Sequence, residues 1–231
     1  MYTLCSIVLP ICNQADHIRT VVNEYAEKLA ELTVPYEIIL VVNGCRDNSE
    51  ALCRDLAERR ENVRLIVSRT GGWGLAVKLG MSSAGGNLLC FTNSARTTAD
   101  DLLFSIQFAL DNPGIVVKAN RKIRETALRR LGSILYNIQC RMLFDIPVWD
   151  INGTPKLFPR DFKHLLTLSE DGDLFDMEFI FRCTMNGYRI VEFPINLTPR
   201  HGGKSTTGIL SALRMYGGAF GFYLNSPGGR K

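Results

Sequence analysis

No run of about twenty uninterrupted apolar residues occurs in the sequence, which argues against a membrane-spanning helix. The best stretch, residues 209–224, is broken by Arg214 and three glycines. The chain does not open on a basic region followed by a long apolar stretch. Pro10 and Asn13 interrupt its first apolar run, so it does not read as a signal peptide. No Lys/Arg block is interleaved with aromatics, so nucleic acid is not expected as a partner. No cysteine pair has metal-ligand spacing. Seven cysteines, mostly in apolar runs (Cys5, Cys90, Cys183) or on expected helices (Cys53, Cys140), predict buried, reduced thiols in a cytosolic protein. A dinucleotide-binding Gly-x-Gly-x-x-Gly after a strand is missing too, since Gly71-Gly72-Trp73-Gly74 has the wrong spacing. There is no internal repeat and no low-complexity segment.

What is present is an ordinary globular composition. With 231 residues, 46% of them apolar, the chain can bury one substantial core, and a formal charge of +4 suits an anionic small ligand or an anionic membrane surface. Residues 5–10 predict a short strand ended by Pro10, and residues 15–32 carry Ile18, Val21, Val22, Tyr25 and Leu29 at helical spacing. A strand at 37–42, apolar after Glu37, leads through the turn 43–49 into an amphipathic helix ending near Arg60, with Asp47 placed to cap it. A strand at 63–67, the glycine turn 71–74 and a helix at 75–84 precede a fourth strand. That strand opens into Thr92-Asn93-Ser94-Ala95-Arg96-Thr97, a small polar loop without a carboxylate. Ligands of open α/β sheets gather outside such carboxyl ends, so chemistry is expected there.

A helix at 100–110 and a strand at 115–118 follow. The segment 121–144 begins with Arg121, Lys122, Arg124, Arg129 and Arg130 and carries Leu128, Leu131, Leu135, Ile138 and Met142 on one stripe. This pattern serves a core-facing helix with a solvated basic face and a phosphate- or membrane-binding helix equally well. After Asp150 the pattern predicts a strand at 154–158, helices at 160–168 and 176–186, and a strand at 188–194, consistent with a sheet extended by antiparallel strands. The loop 200–207 is basic and glycine-rich, chemically fit to wrap phosphate. Strict βα alternation in the first half predicts an α/β fold with a mostly parallel sheet covered by helices on both faces.

In order along the chain, several stretches resemble motifs of one family. Ser6-Ile7-Val8-Leu9-Pro10-Ile11-Cys12-Asn13-Gln14 is similar to an opening strand that usually reads apolar-Pro-x-Tyr-Asn-Glu. The stretch from Glu37 to Asp47 looks like a nucleotide-binding segment ending Asp-Asp-Gly-Ser-x-Asp, with Val42 and Asn43 at the paired acids. Gly72-Trp73-Gly74 fits the turn before the third helix, and residues 116–121 a strand ending Ser-Arg. Residues 150–160 are similar to Asp-x-x-x-Gly-x-Lys-x-Phe-x-Arg, with the glycine one place early at Gly153, and Phe175-Asp176-Met177-Glu178, the stretch 187–194 and Arg200-x-x-Gly-x-Ser205 complete the series. The whole resembles the family 2 glycosyltransferases, in the branch of dolichyl-phosphate mannose synthase and other polyprenyl-phosphate sugar transferases.

This resemblance implies a glycosyltransferase A-type domain over residues 1–206 and an amphipathic C-terminal segment, 207–231. It implies transfer of a sugar from a nucleotide-diphosphate sugar to a polyprenyl phosphate, with inversion, by a protein attached peripherally to the cytoplasmic face of a membrane. Arg121, Arg129, Arg130 and Arg200 would supply catalytic positive charge. Substrate contacts would come from Pro10, Asn13, Val42, Asn43, Asp47, Gly72, Gly74, Asn93, Ser94, Ala95, Asp150, Lys156, Asp176, Glu178, Lys204 and Ser205. Members usually hold Mg²⁺ or Mn²⁺ with an Asp-x-Asp and a nearby Gln. Here those positions align with Asn93, Ala95 and Thr97, a set too poor in charge for a hard cation, so no metal cofactor is expected in the usual place. Two readings stay open: a transferase that replaces the metal with Arg and Lys charge, and a non-catalytic relative that binds nucleotide, lipid phosphate or a membrane partner. Trp73 is open between stacking on a base and packing under its turn. Asp176 and Glu178 are open between orienting a substrate and favouring a helix dipole.

Overall fold

The computed structural model describes residues 2–121, 127–195, 202 and 209–225; for 127–130 and 209–213 it describes the backbone only. Among the described residues, seven strands, β1 (Cys5–Ile11), β2 (Tyr36–Asn43), β3 (Val63–Ser68), β4 (Leu88–Phe91), β5 (Val116–Arg121), β6 (Lys156–Pro159) and β7 (Ile190–Ile195), form one sheet in the order β3-β2-β1-β4-β6-β5-β7. Only β6 runs antiparallel to its neighbours. Chain order reverses between β1 and β4, which opens a crevice at their carboxyl ends.

Among the described residues, seven helices cover the sheet: α1 (Ile18–Leu29), α2 (Ser49–Arg59), α3 (Trp73–Ser83), α4 (Ala99–Asp111), α5 (Ala127–Phe144), α6 (Phe175–Met185) and α7 (Ile209–Asn225). The unbroken apolar runs of β1 and β2 follow from this double cover. Ile7, Leu9, Ile38 and Leu40 pack with α1, α2 and α4, while Val8, Ile39 and Val41 pack with α3, α5, α6 and α7. At the head of α4, Thr98 Oγ1 accepts the Asp101 N–H at 3.0 Å and donates to Asp101 Oδ2 at 2.8 Å, so Asp101 belongs to a cap.

Three expectations need correction. The helix predicted at 160–168 is only a 3₁₀ turn, Lys163–Leu165. Arg160 is drawn back toward β4, its N–H bonding Asn87 O at 2.9 Å and its Nε bonding Gly86 O at 2.6 Å. The last strand is parallel to β5, because α6 carries the chain back over the sheet before β7 begins. The first position of α2 is capped from one residue away: Asp47 accepts from Ser49 N–H at 3.1 Å, while the N-cap residue Asn48 makes no side-chain bond.

On α5, Leu131, Leu135, Ile138 and Met142 face outward and are exposed, whereas Tyr136, Cys140 and Phe144 enter the core. The helix carries two apolar stripes, and the aromatic one packs against α6 and α7, through Phe144 on Phe181 and Phe222 and Tyr136 on Tyr216. Within α7, Met215 and Ala219 are buried, Tyr216 and Tyr223 are half-buried against the core, and Phe220 is exposed. Among the described residues, no helix is long and apolar enough to cross a membrane.

Candidate active site

The carboxyl ends of β1, β2 and β4 meet in a network of short polar side chains. Asn43 is buried; its Nδ2 donates to Ile11 O at 3.1 Å and its Oδ1 accepts the Gly72 N–H at 3.2 Å. An aspartate could not make the first of these bonds, so the amide ties β2 to both β1 and the head of α3. Asn13, in a left-handed conformation, accepts the Arg46 N–H at 2.7 Å, and Asp47 accepts the Ala15 N–H at 2.9 Å. Val42 points into the core beside Ile11 and Cys53, and Pro10 lies within buried β1, so neither presents a side chain to the crevice.

The glycine turn is filled from the other side. A β-carbon on Gly74 would lie 2.5 Å from Glu170 O and 2.8 Å from Phe175 Cβ, and one on Gly72 2.6 Å from Asp171 O. These glycines therefore admit the 170–171 loop. Glu178 holds that loop, accepting from Ser169 N–H, Ser169 Oγ and Glu170 N–H at 2.8–3.1 Å. Trp73 packs its edge against Phe91, and its buried Nε1 has no hydrogen-bond partner among the described residues.

The loop after β4 is folded on itself. Asn93 Oδ1 accepts the Ala95 N–H at 2.9 Å, Thr97 Oγ1 pairs with Thr92 Oγ1 at 2.6 Å, and Ser94 Oγ donates to Gln14 Oε1. Ala95 is fully buried and Thr97 is 1% exposed. A divalent cation does not fit these three positions in the family's manner, since one lacks a ligand atom and the other two are neutral and already bonded. Among the described residues, no group of three or more His, Cys, Asp or Glu side chains is arranged to hold a metal.

Further along the sheet stand three buried ion pairs. Arg121, at the carboxyl end of β5, bonds Asp150 through Nε at 2.7 Å and Nη2 at 2.8 Å. Lys156, at the adjoining end of β6, pairs with Asp176 over the face of Phe91. Lys118 donates to Glu192 at 2.8 Å and to Asp150 O at 2.6 Å. Burial lowers the Lys118 ammonium to about 8 against the pull of Asp150 and Glu192, and burial likewise lowers Lys156. Asp176 is thus the partner of a buried lysine, a role beyond favouring the α6 dipole.

Lys118 and Glu192 lie within matched stretches, but the motifs assign neither a role. Glu192 also accepts the Trp149 N–H at 2.9 Å and so fixes the backbone beside Asp150. A lysine inside the apolar run Val116-Val117-Lys118-Ala119 was the available signal, because a lysine on a doubly covered strand needs a buried partner. The backbone of Arg129 and Arg130 lies in α5, but their side chains, and all of Arg200, Lys204 and Ser205, lie outside the described residues.

The glycosyl transferase family 2 model matches residues 6–166. The chain belongs to glycosyltransferase family 2. This glycosyltransferase is 22% identical over 204 residues to an uncharacterized glycosyltransferase of Mycobacterium tuberculosis, covering 87% of this chain and 88% of that one. It is 20% identical to the undecaprenyl-phosphate 4-deoxy-4-formamido-L-arabinose transferase of Aeromonas hydrophila, over 92% of this chain and 65% of that longer protein. Its fold is similar to that of glucosyl-3-phosphoglycerate synthase from M. tuberculosis, solved with Mn²⁺, uridine diphosphate and glucosyl-3-phosphoglycerate. The TM-score is 0.73 at 16% identity, covering 96% of this chain and 79% of that one. The domain is of the glycosyltransferase A type, and its family makes this glycosyltransferase a nucleotide-sugar-dependent enzyme.

Proposed function

We propose that this enzyme moves a sugar from a nucleotide diphosphate to a polyprenyl phosphate at a membrane surface, with inversion and without a divalent cation in the family's usual position. An acceptor phosphate oxygen attacks the anomeric carbon as the bond from that carbon to the diphosphate oxygen breaks. The nucleophile is already anionic, so no general base is required, and the protein's task is to align two phosphate-bearing substrates and offset their charge.

We assign Arg200 and Lys204 to the departing diphosphate, and Arg121 with Arg129 or Arg130 to the acceptor phosphate. Gly202, which lies between Arg200 and Lys204 in sequence, sits against Asp16 and His17 just beyond β1: a β-carbon there would be 2.6 Å from Asp16 Oδ2. That contact supports a role for the basic loop at the crevice. Asp150 engages Nε and Nη2 of Arg121, so we give its Nη1 edge to the acceptor. Asn13, Asn43, Asp47, Gly72, Gly74, Asn93 and Ser94 would border the donor, Pro10, Val42 and Ala95 shaping it from beneath. Lys156, Asp176 and Glu178 would support the floor, and Ser205 the basic loop.

The observation that carries the metal-free reading is the closed bonding of Asn93, Ala95 and Thr97. Membrane attachment is favoured by the exposed stripe Leu131, Ile134, Leu135, Ile138 and Met142 with nearby Trp149, which Arg141 covers at 4.0 Å, on a helix whose start is basic. The deciding experiment incubates the protein with a panel of nucleotide sugars and a short polyprenyl phosphate, with and without chelator. Transfer that survives chelator is expected. Transfer abolished by chelator overturns the metal-free site, and nucleotide binding with no transfer across the panel leaves the non-catalytic reading.

A further inference from the structure

Seven cysteines divide sharply by environment. Cys5, Cys53, Cys90, Cys140 and Cys183 are buried, whereas Cys12 and Cys45 are half-exposed, and all seven are free thiols. These two stand where the resembling motifs usually have tyrosine and serine, in the loops leaving β1 and β2 at the mouth of the crevice.

They also lie close together. Cys45 Sγ donates to Ile11 O at 3.3 Å and accepts the Asn13 N–H at 3.3 Å, so it lies against the backbone on both sides of Cys12. The Cys12 thiol lies 3.9 Å from Asn13 Nδ2, in the same corner. We propose that Cys12 and Cys45 form a reversible disulfide that locks the β1 and β2 loops together across the nucleotide side of the crevice.

The chemistry needs an oxidant, and a low-molecular-weight disulfide such as oxidised glutathione supplies it. The Cys45 thiol, once ionised, attacks one glutathione sulfur and expels the other glutathione as thiolate. Burial, with Cys45 and Asp47 nearby, raises the Cys12 thiol, so Cys12 is the later reactant. Its thiolate attacks Cys45 Sγ of the mixed disulfide and releases the second glutathione. Two protein thiols and one disulfide thus yield one protein disulfide and two glutathione thiols, both protein protons passing to solvent or to the leaving thiolates.

The test treats the whole chain with oxidised glutathione and reads intact mass and the peptide map. A product lighter by two hydrogen atoms, linking the Cys12 peptide to the Cys45 peptide and reversed by dithiothreitol, is expected. With Cys12→Ser, the reaction should stop at a stable glutathione adduct on Cys45. A wild-type protein that stays reduced, stops at the adduct or links other cysteines overturns the bridge. The effect on the crevice rests on the proposed function and is read separately, as uridine and guanosine diphosphate affinity before and after oxidation. Weakening of about tenfold or more is expected for the nucleotide that binds. Unchanged affinity overturns the locking role, whereas no binding by the reduced protein counts against the proposed function and leaves the bridge standing.

Discussion

Asp150 grips Arg121 with both carboxylate oxygens and also accepts its backbone N–H at 3.1 Å, so one carboxylate fixes side chain and main chain of the residue that ends β5. Both partners are largely buried, the side chains being 4% and 18% exposed. A guanidinium held this way cannot swing, and any phosphate it meets must come to it.

Removing the carboxylate strands that charge. Asp150→Ala is expected to lower stability by about 3–5 kcal/mol, the usual result of breaking a buried pair, with a smaller loss for Asp150→Asn, which keeps one acceptor. Urea unfolding midpoints measure it. A loss below about 1 kcal/mol would mean that the pair is solvated and contributes only as a surface ion pair does.

Restoring an acid at the middle of the β4 loop should be costly. Ala95 is fully buried, so Ala95→Asp takes a carboxylate out of water, and a loss of about 2–4 kcal/mol is expected. Thermal denaturation with and without Mn²⁺ checks this. Full recovery of stability by the metal would show that the loop still folds around a cation.

Acid should release a tie at the far end of β2. Burial opposes the charge of Glu37, but hydrogen bonds from Ser6 Oγ, Gly85 N–H and Arg64 outweigh it and hold the carboxyl below its ordinary value. Its stabilising contribution is therefore complete above the ordinary glutamate range and is lost as pH falls through the lowered folded-state value. Glu37→Gln should be less stable than wild type by about 1–3 kcal/mol at neutral pH, with the gap closing in acid. A gap that is constant with pH would assign the loss to packing.

Charge on the exposed stripe of α5 should abolish membrane binding and leave the fold intact. Leu135→Glu with Ile138→Glu is expected to reduce co-sedimentation with anionic vesicles at low salt about tenfold or more, while the melting temperature changes little, because both side chains are about half exposed. Failure of the wild-type protein to bind such vesicles would remove the membrane role.

The sequence by itself determined the layered α/β architecture and the end of the sheet where the crevice lies. Short apolar runs such as 38–42, alternating with helical patterns, read as strands covered on both faces, and the breaks at Asn13, Asn43 and Asn93 fall at the carboxyl ends of three adjoining parallel strands. It also showed that carboxylates were missing where the family keeps its metal. Tertiary structure alone decided which stripe of α5 faces the core, because both repeat at helical spacing and only the contacts of Tyr136 and Phe144 break the tie. It alone paired Lys118 with Glu192 and Lys156 with Asp176, partners 74 and 20 residues apart, since a buried charge chooses its counter-ion by proximity in space. The same holds for Cys12 and Cys45: separate loops in sequence, they become neighbours only because β1 and β2 run parallel, with Ile11 beside Val42.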